Sequence, residues 1–169
     1  MNPITKSEIQ QFIAGQHREL DQLLAGLSDA QWIQPGVVKR WSVKAAVSVM
    51  TIGEQRVTEM VLSALAHPDA NRSAEGADVL WPAALDQTDT AIVRACRRHT
   101  LADVQLHWRS ATAQLRDALE QLPELHVTQL LFAGQSLLIL LDTHYQAYQS
   151  YCNALRIWRG NESRPVVHM

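Results

Sequence analysis

The chain of 169 residues contains little cysteine, little glycine and no marked excess of charge of either sign. Its two cysteines, Cys96 and Cys152, form no Cys-x-x-Cys pair, so the sequence predicts reduced, buried thiols rather than a zinc site or a disulfide. The seven glycines form no phosphate-binding motif. With 15 basic and 17 acidic residues, the charge balance gives no electrostatic reason to bind nucleic acid.

Long hydrophobic runs and a secretory signal are also missing from the sequence. The longest apolar run, residues 137–141, is far shorter than the roughly 20 residues that span a bilayer. The first residues lack the basic segment and apolar stretch of a signal peptide. We therefore expect a cytoplasmic protein with no membrane partner, built as one domain over residues 1–160 with a tail over 161–169.

Four segments carry apolar residues at alternating spacings of three and four, which predicts four long helices. They are expected over residues 5–27, 42–66, 100–122 and 136–160, with capping boxes at the first and third starts and Gly160 ending the last. No segment rich in β-branched residues alternates at period two, so strands are not expected. The prediction is an all-α four-helix bundle with long connections and the option of one extra short helix over residues 82–98.

Four polar side chains interrupt the apolar stripes of these helices: His17 on the first, Glu54 on the second, and His144 and Tyr148 on the last. A buried carboxylate is costly unless it is paired, so Glu54 needs a partner, and His144 and then His17 are the candidates. Three interpretations stay open at this point. The group is a structural buried pair, a wet cleft for binding or catalysis, or a metal site made of His17, Glu54 and His144.

Other motifs carry weaker information. Arg94, Arg97 and Arg98 form a basic patch that a helix dipole explains adequately, with binding of an acidic ligand as the alternative. The Glu-x-x-His motif of di-iron bundles does not occur in the sequence. The Gly-x-Ser-x-Gly motif that carries the nucleophilic serine of α/β-hydrolases does not occur either. The remaining histidines are expected to have no functional role.

Residues 27–32 read Leu-Ser-Asp-Ala-Gln-Trp, and residues 40–44 read Arg-Trp-Ser-Val-Lys. These two motifs resemble the segment that leads into the second helix in members of the DinB-like superfamily. The stretch from Thr143-His144-Tyr145 to Ile157-Trp158 resembles the family's last helix. The resemblance implies a four-helix bundle, commonly a homodimer, in which Trp41 anchors the loop before the second helix.

Many members of that superfamily bind a divalent metal through one histidine on the second helix and a His-x₃-His pair on the last. In this sequence those positions are Val49, His144 and Tyr148, so the triad is degenerate and no metal or other cofactor is expected. The leading prediction is a small-molecule binding module with Tyr148, His17 and Trp41 as ligand-binding residues. The alternative is a metal-independent enzyme, similar to the colibactin self-resistance proteins, that acts on a small electrophilic metabolite with Glu54 and His144 as an acid/base pair.

Overall fold

The computed structural model describes residues 5–38, 40–66, 94, 96–124, 131–132 and 135–162. In this part of the chain the fold is all-α, as the sequence predicts. The named elements, in chain order, are α1 Lys6–Leu24, α2 Asp29–Ile33, α3 Val43–Ala66, α4 Leu101–Glu120, β1 Leu131–Phe132, β2 Gln135–Ser136 and α5 Leu137–Glu162. The sequence predicted no strand; β1 and β2 pair antiparallel over two residues each, which is too short for an alternating pattern to appear.

The four long helices pack side by side around a shared core. Helix α3 packs most extensively against α4 and also touches α5, while α1 touches both α5 and α4. The order around the bundle is therefore α1, α5, α3, α4. This arrangement places the inward faces of α1, α3 and α5 close together, which is where the candidate site lies.

Local capping explains where these helices start and stop. Thr5 and Thr100 each form the predicted capping box, with Glu8 and Asp103 respectively. A third box at Ser28 opens α2, a short helix that the sequence analysis missed. Helix α1 ends at Leu24 rather than at residue 27, because Gly26 adopts a φ of 75° that turns the chain away from the helix.

At the other end of the chain, helix α5 continues through Gly160 to Glu162, so the prediction that Gly160 ends it is wrong. The predicted extra helix over residues 82–98 lies mostly outside the described residues, although Arg94 and Cys96 are helical. Whether one domain ends at residue 160 stays a prediction.

The apolar stripes predicted from the sequence form the core. On α1, α3, α4 and α5 the buried members include Ile13, Leu20, Val47, Met50, Val57, Val61, Trp108, Leu115, Leu141 and Leu155. Both cysteines are buried and unbridged, as predicted, and burial raises the pKa of Cys152 to about 12. Within the described part of the chain, no helix combines the length and the apolar character needed to cross a membrane.

Candidate functional site

A fully buried carboxylate lies at the centre of the bundle. Glu54 is in the middle of α3 and has no exposed surface. His144 and Tyr145 on α5 and His17 on α1 converge on it, and they are 1%, 1% and 6% exposed. We call these four residues the Glu54 cluster. The sequence prediction that His144 and His17 partner Glu54 is therefore confirmed.

Each oxygen of the Glu54 carboxylate has a histidine partner. His144 Nε2 lies 3.2 Å from Oε1, and His17 Nε2 lies 3.2 Å from Oε2. The Tyr145 hydroxyl is 3.3 Å from both oxygens and 3.3 Å from His17 Nε2, so it can donate to the carboxylate and accept from His17. A carboxylate with three hydrogen-bonding partners meets the condition under which a buried charge is tolerated.

These contacts determine which members of the cluster carry charge. Burial alone would raise the pKa of Glu54, but the hydrogen bonds from His144 and His17, and their charges, outweigh burial and lower that pKa to about 2. Burial and the nearby Glu54 charge raise the pKa of the Tyr145 hydroxyl well above its usual value, so the hydroxyl keeps its proton. Glu54 is therefore a permanent anion at neutral pH, suited to orienting an imidazole rather than to accepting a proton.

The ligand positions implied by the DinB-like resemblance do not fit a metal. Val49 is buried in the core and has no donor atom. Burial, followed by the charge of Glu54, raises the pKa of Tyr148 far above its usual value, so its oxygen is a neutral phenol and a poor metal ligand. His144 is left as one nitrogen donor, and its Nε2 is engaged with Glu54.

The alternative metal site made of His17, Glu54 and His144 is not supported either. No group of three His, Cys, Asp or Glu side chains within the described residues is arranged to hold a metal ion. The three side chains do meet, but the two histidine nitrogens address different oxygens of one carboxylate, as hydrogen-bond partners do.

A surface cleft of about 290 Å³ leads to the cluster between α1 and α4. Ile13, Ala14 and Leu119 give it an apolar wall, and His17 belongs to both this cleft and the Glu54 cluster. Gln10, Arg116 and Glu120 also line it. His17 is thus the member of the cluster that a small molecule in this cleft would meet.

The other two predicted ligand-binding residues, Tyr148 and Trp41, do not line this cleft, although the Tyr148 ring lies beside that of His17, with centroids 6.3 Å apart. Tyr148 is fully buried, and its hydroxyl has no hydrogen-bond partner among the described residues. Trp41 is half-buried and stacks on Tyr151, with ring centroids 5.9 Å apart and planes 15° apart. Trp41 lines a second cavity, near the start of α3, and is not part of the Glu54 cluster.

Sequence reasoning missed Tyr145, the third partner of Glu54. The sequence pattern predicts one inward row on α5, through positions 141, 144, 148 and 155, whereas a core-facing helix buries a wider stripe that includes the next position of each turn. Tyr145 and Cys152 occupy those positions and are both buried. A signal was present, since the three tyrosines of the whole chain are Tyr145, Tyr148 and Tyr151.

No protein-family model, curated protein or solved structure matches this chain. The similarity to the DinB-like superfamily therefore stays a prediction from the motifs quoted above. The roles of the site residues rest on their geometry.

The two neighbouring buried tyrosines, Tyr145 and Tyr148, should respond differently when the hydroxyl group is removed. Tyr145→Phe removes a donor from the buried Glu54 carboxylate and should lower the free energy of unfolding by about 1–3 kcal/mol. Tyr148→Phe removes a hydroxyl with no described partner and should leave the free energy of unfolding unchanged or raise it. Urea unfolding measures both. An equal loss in the two variants would contradict the assigned contacts.

The depressed pKa of Glu54 predicts how stability depends on pH. Because the folded-state pKa of about 2 lies below the ordinary 4.5, the unfolded chain binds the proton more tightly. The ionised Glu54 carboxylate therefore contributes on the order of 3 kcal/mol to the free energy of unfolding. This contribution is complete above about pH 5 and is lost as the pH falls toward 2. Glu54→Gln removes it, so the stability gap between wild type and this variant should narrow on acidification.

The matched control is Glu59→Gln, an exposed glutamate on the same helix. Its stability gap to the wild type should stay constant over the same pH range. Urea unfolding from pH 7 down to the lowest pH at which both proteins fold gives the measurement. A gap for Glu54→Gln that does not change with pH would show that the carboxylate is not held ionised by its neighbours.

Proposed function

We propose that this protein binds a small polar molecule in the α1–α4 cleft, against the imidazole of His17. One observation carries the proposal: His17 belongs at once to the wall of the cleft and to the Glu54 cluster. The carboxylate behind it fixes the ring orientation, so the ring is preorganised for a ligand at low entropic cost.

The composition of the cleft supports a polar ligand with an apolar part. Ile13, Ala14 and Leu119 offer apolar contact, while His17 supplies a directional polar group. At the rim, Arg116 is exposed and makes no ion pair with any residue the structure describes. Glu120, by contrast, accepts a hydrogen bond from the Gln10 amide at 2.6 Å and lies 4.0 Å from the Lys6 ammonium, which offsets part of its charge.

Access to His17 can be tested with diethyl pyrocarbonate, which acylates unprotonated imidazole nitrogen. We expect modification of His17 but not of His144, because His144 is 1% exposed and does not line the cleft. His144 is a suitable internal control, since it has the same hydrogen-bond partner, Glu54. Ala14→Trp, which fills the cleft, should protect His17. Ala113→Trp, at an exposed position of α4 outside the cleft, should not. Peptide mapping by mass spectrometry locates the modification.

A ligand-observed NMR screen of small polar fragments completes this test. Fragments that bind the wild type should lose binding in Ala14→Trp and should protect His17 from acylation. Acylation of neither histidine, together with no fragment that is displaced by Ala14→Trp, would refute a binding role for this cleft.

A second candidate function is general-base chemistry on a small electrophile. The observation that favours it is the Glu54–His17 hydrogen bond, because a carboxylate on one ring nitrogen leaves the other nitrogen as the base. In this scheme His17 takes a proton from water, the hydroxide oxygen adds to the electrophilic carbon, and the leaving group departs with the electrons of its bond. Glu54 is then a positioning residue, and the acid/base role predicted for His144 passes to His17.

The probe for this candidate is 4-nitrophenyl acetate, whose hydrolysis releases nitrophenolate. His17→Gln should reduce the rate at pH 7 at least tenfold, as expected for loss of a positioned base. His107→Gln, a change at an exposed histidine on α4, should leave the rate unchanged. Equal rates in all three proteins would restrict the function to binding.

We also propose that the protein is a member of the DinB-like superfamily, that it forms a homodimer and that it is located in the cytoplasm. These proposals are supported by the motifs at residues 27–32 and 40–44, by the all-α bundle and by the composition. None of the contacts described for the Glu54 cluster requires a second chain, since all four of its residues come from one.

A further inference from the structure

A second cavity, of about 280 Å³, lies away from the Glu54 cluster, beside the loop that joins α2 to α3. Three cationic side chains line it: Arg40 in that loop, Lys44 in the first turn of α3, and Arg97 in the turn before α4. No aspartate or glutamate is found among the described residues of its wall. The sequence analysis explained Arg97 by a helix dipole, which does not account for the convergence of all three.

Lys44 and Arg97 have no aspartate or glutamate partner among the described residues of this cavity's wall. The Lys44 ammonium donates to the backbone carbonyl of His99, which orients it but carries no formal charge. The Arg97 guanidinium is exposed and makes no hydrogen bond or ion pair within the described part of the chain. Like charges brought together raise the energy of the empty cavity, and an anion placed among them lowers it.

Trp41 gives the same cavity a rigid aromatic wall. Its backbone pairs with Val38 in a short antiparallel bridge, with Trp41 N–H donating to Val38 O at 2.9 Å. Its indole stacks on Tyr151 of α5, which fixes the ring from the other direction. Ile33 and Pro35 extend the apolar surface. An aromatic or apolar body therefore has a preformed surface next to the cationic groups.

We propose that this cavity is a binding site for a small organic acid, with the acidic group between Lys44 and Arg97 and the apolar body against Trp41. The volume admits a single ring bearing a carboxylate, because an apolar cavity of about 150 Å³ already accepts benzene. The site is separate from the α1–α4 cleft and does not depend on the function proposed for it.

Benzoate is the probe, with benzyl alcohol as its uncharged counterpart and inorganic phosphate as an anion without an apolar body. Titration calorimetry and the indole N–H signal of Trp41 in a ¹H–¹⁵N spectrum, assigned with Trp41→Phe, report binding. We expect saturable binding of benzoate that weakens as salt rises, and at least tenfold weaker binding of the other two probes.

Substitutions of Arg97 test whether benzoate binding requires the positive charge of this side chain. Arg97→Ala should weaken benzoate binding roughly tenfold, and Arg97→Lys should recover part of it, because hydrogen bonds to charged groups have about this strength. Arg109→Ala, an exposed arginine on α4 outside the cavity wall, serves as the matched control and should bind as the wild type does. Circular dichroism confirms that each variant is folded.

Ala14→Trp separates this proposal from the one for the α1–α4 cleft, since it closes that cleft and should leave the Trp41 response to benzoate intact. The organic-acid site would be overturned by no saturable binding, by phosphate binding as tightly as benzoate, or by benzoate binding that is unchanged in Arg97→Ala. Loss of binding in Ala14→Trp would do the same, because it would place the acid beside His17 instead.

Discussion

The packing of the bundle depends on the buried negative charge of Glu54. Glu54 lies on α3, and the groups that hydrogen-bond to its carboxylate come from α1 and α5, so three of the four long helices meet at this side chain. Apolar packing tolerates small rotations and translations of a helix, whereas a charge in the core must keep its partners within hydrogen-bond distance. The Glu54 cluster therefore fixes the rotation and the register of α1 and α5 against α3.

The polar residues of the Glu54 cluster have different roles because they differ in charge and in access to the cleft. A carboxylate whose pKa is lowered to about 2 does not exchange protons near neutral pH, so Glu54 acts on its neighbours through charge and hydrogen-bond direction. His144 and Tyr145 are enclosed on all sides by the core. His17 has the same partner but stands at the wall of the cleft between α1 and α4. Its position, rather than its chemistry, makes it the group of the cluster that a ligand in this cleft would contact.

Much of this arrangement could be read from the sequence, and the failures have specific causes. A glutamate in an apolar stripe demands partners, and two histidines in facing stripes were the residues able to supply them, so the convergence of Glu54, His144 and His17 was predictable. Tyr145 was missed because a tyrosine beside a wide apolar stripe looks like ordinary core. No one-dimensional pattern could show that Arg97 shares a cavity with Arg40 and Lys44, because Arg97 lies in a turn that is distant from them in sequence.

The α1–α4 cleft and the cavity at the start of α3 differ in the charge that the protein supplies. In the α1–α4 cleft the anion is supplied by the protein, buried behind His17, so a ligand there would meet an oriented imidazole. At the start of α3 the wall supplies cations and an aromatic surface, so the ligand has to bring the negative charge. A chain with a net charge of −2 gains this local positive field only by clustering basic residues from different elements. The second cavity borders α3, whereas the cleft is lined by α1 and α4. A ligand in either site stabilises the folded chain by mass action, and the two effects should add if the ligands bind independently.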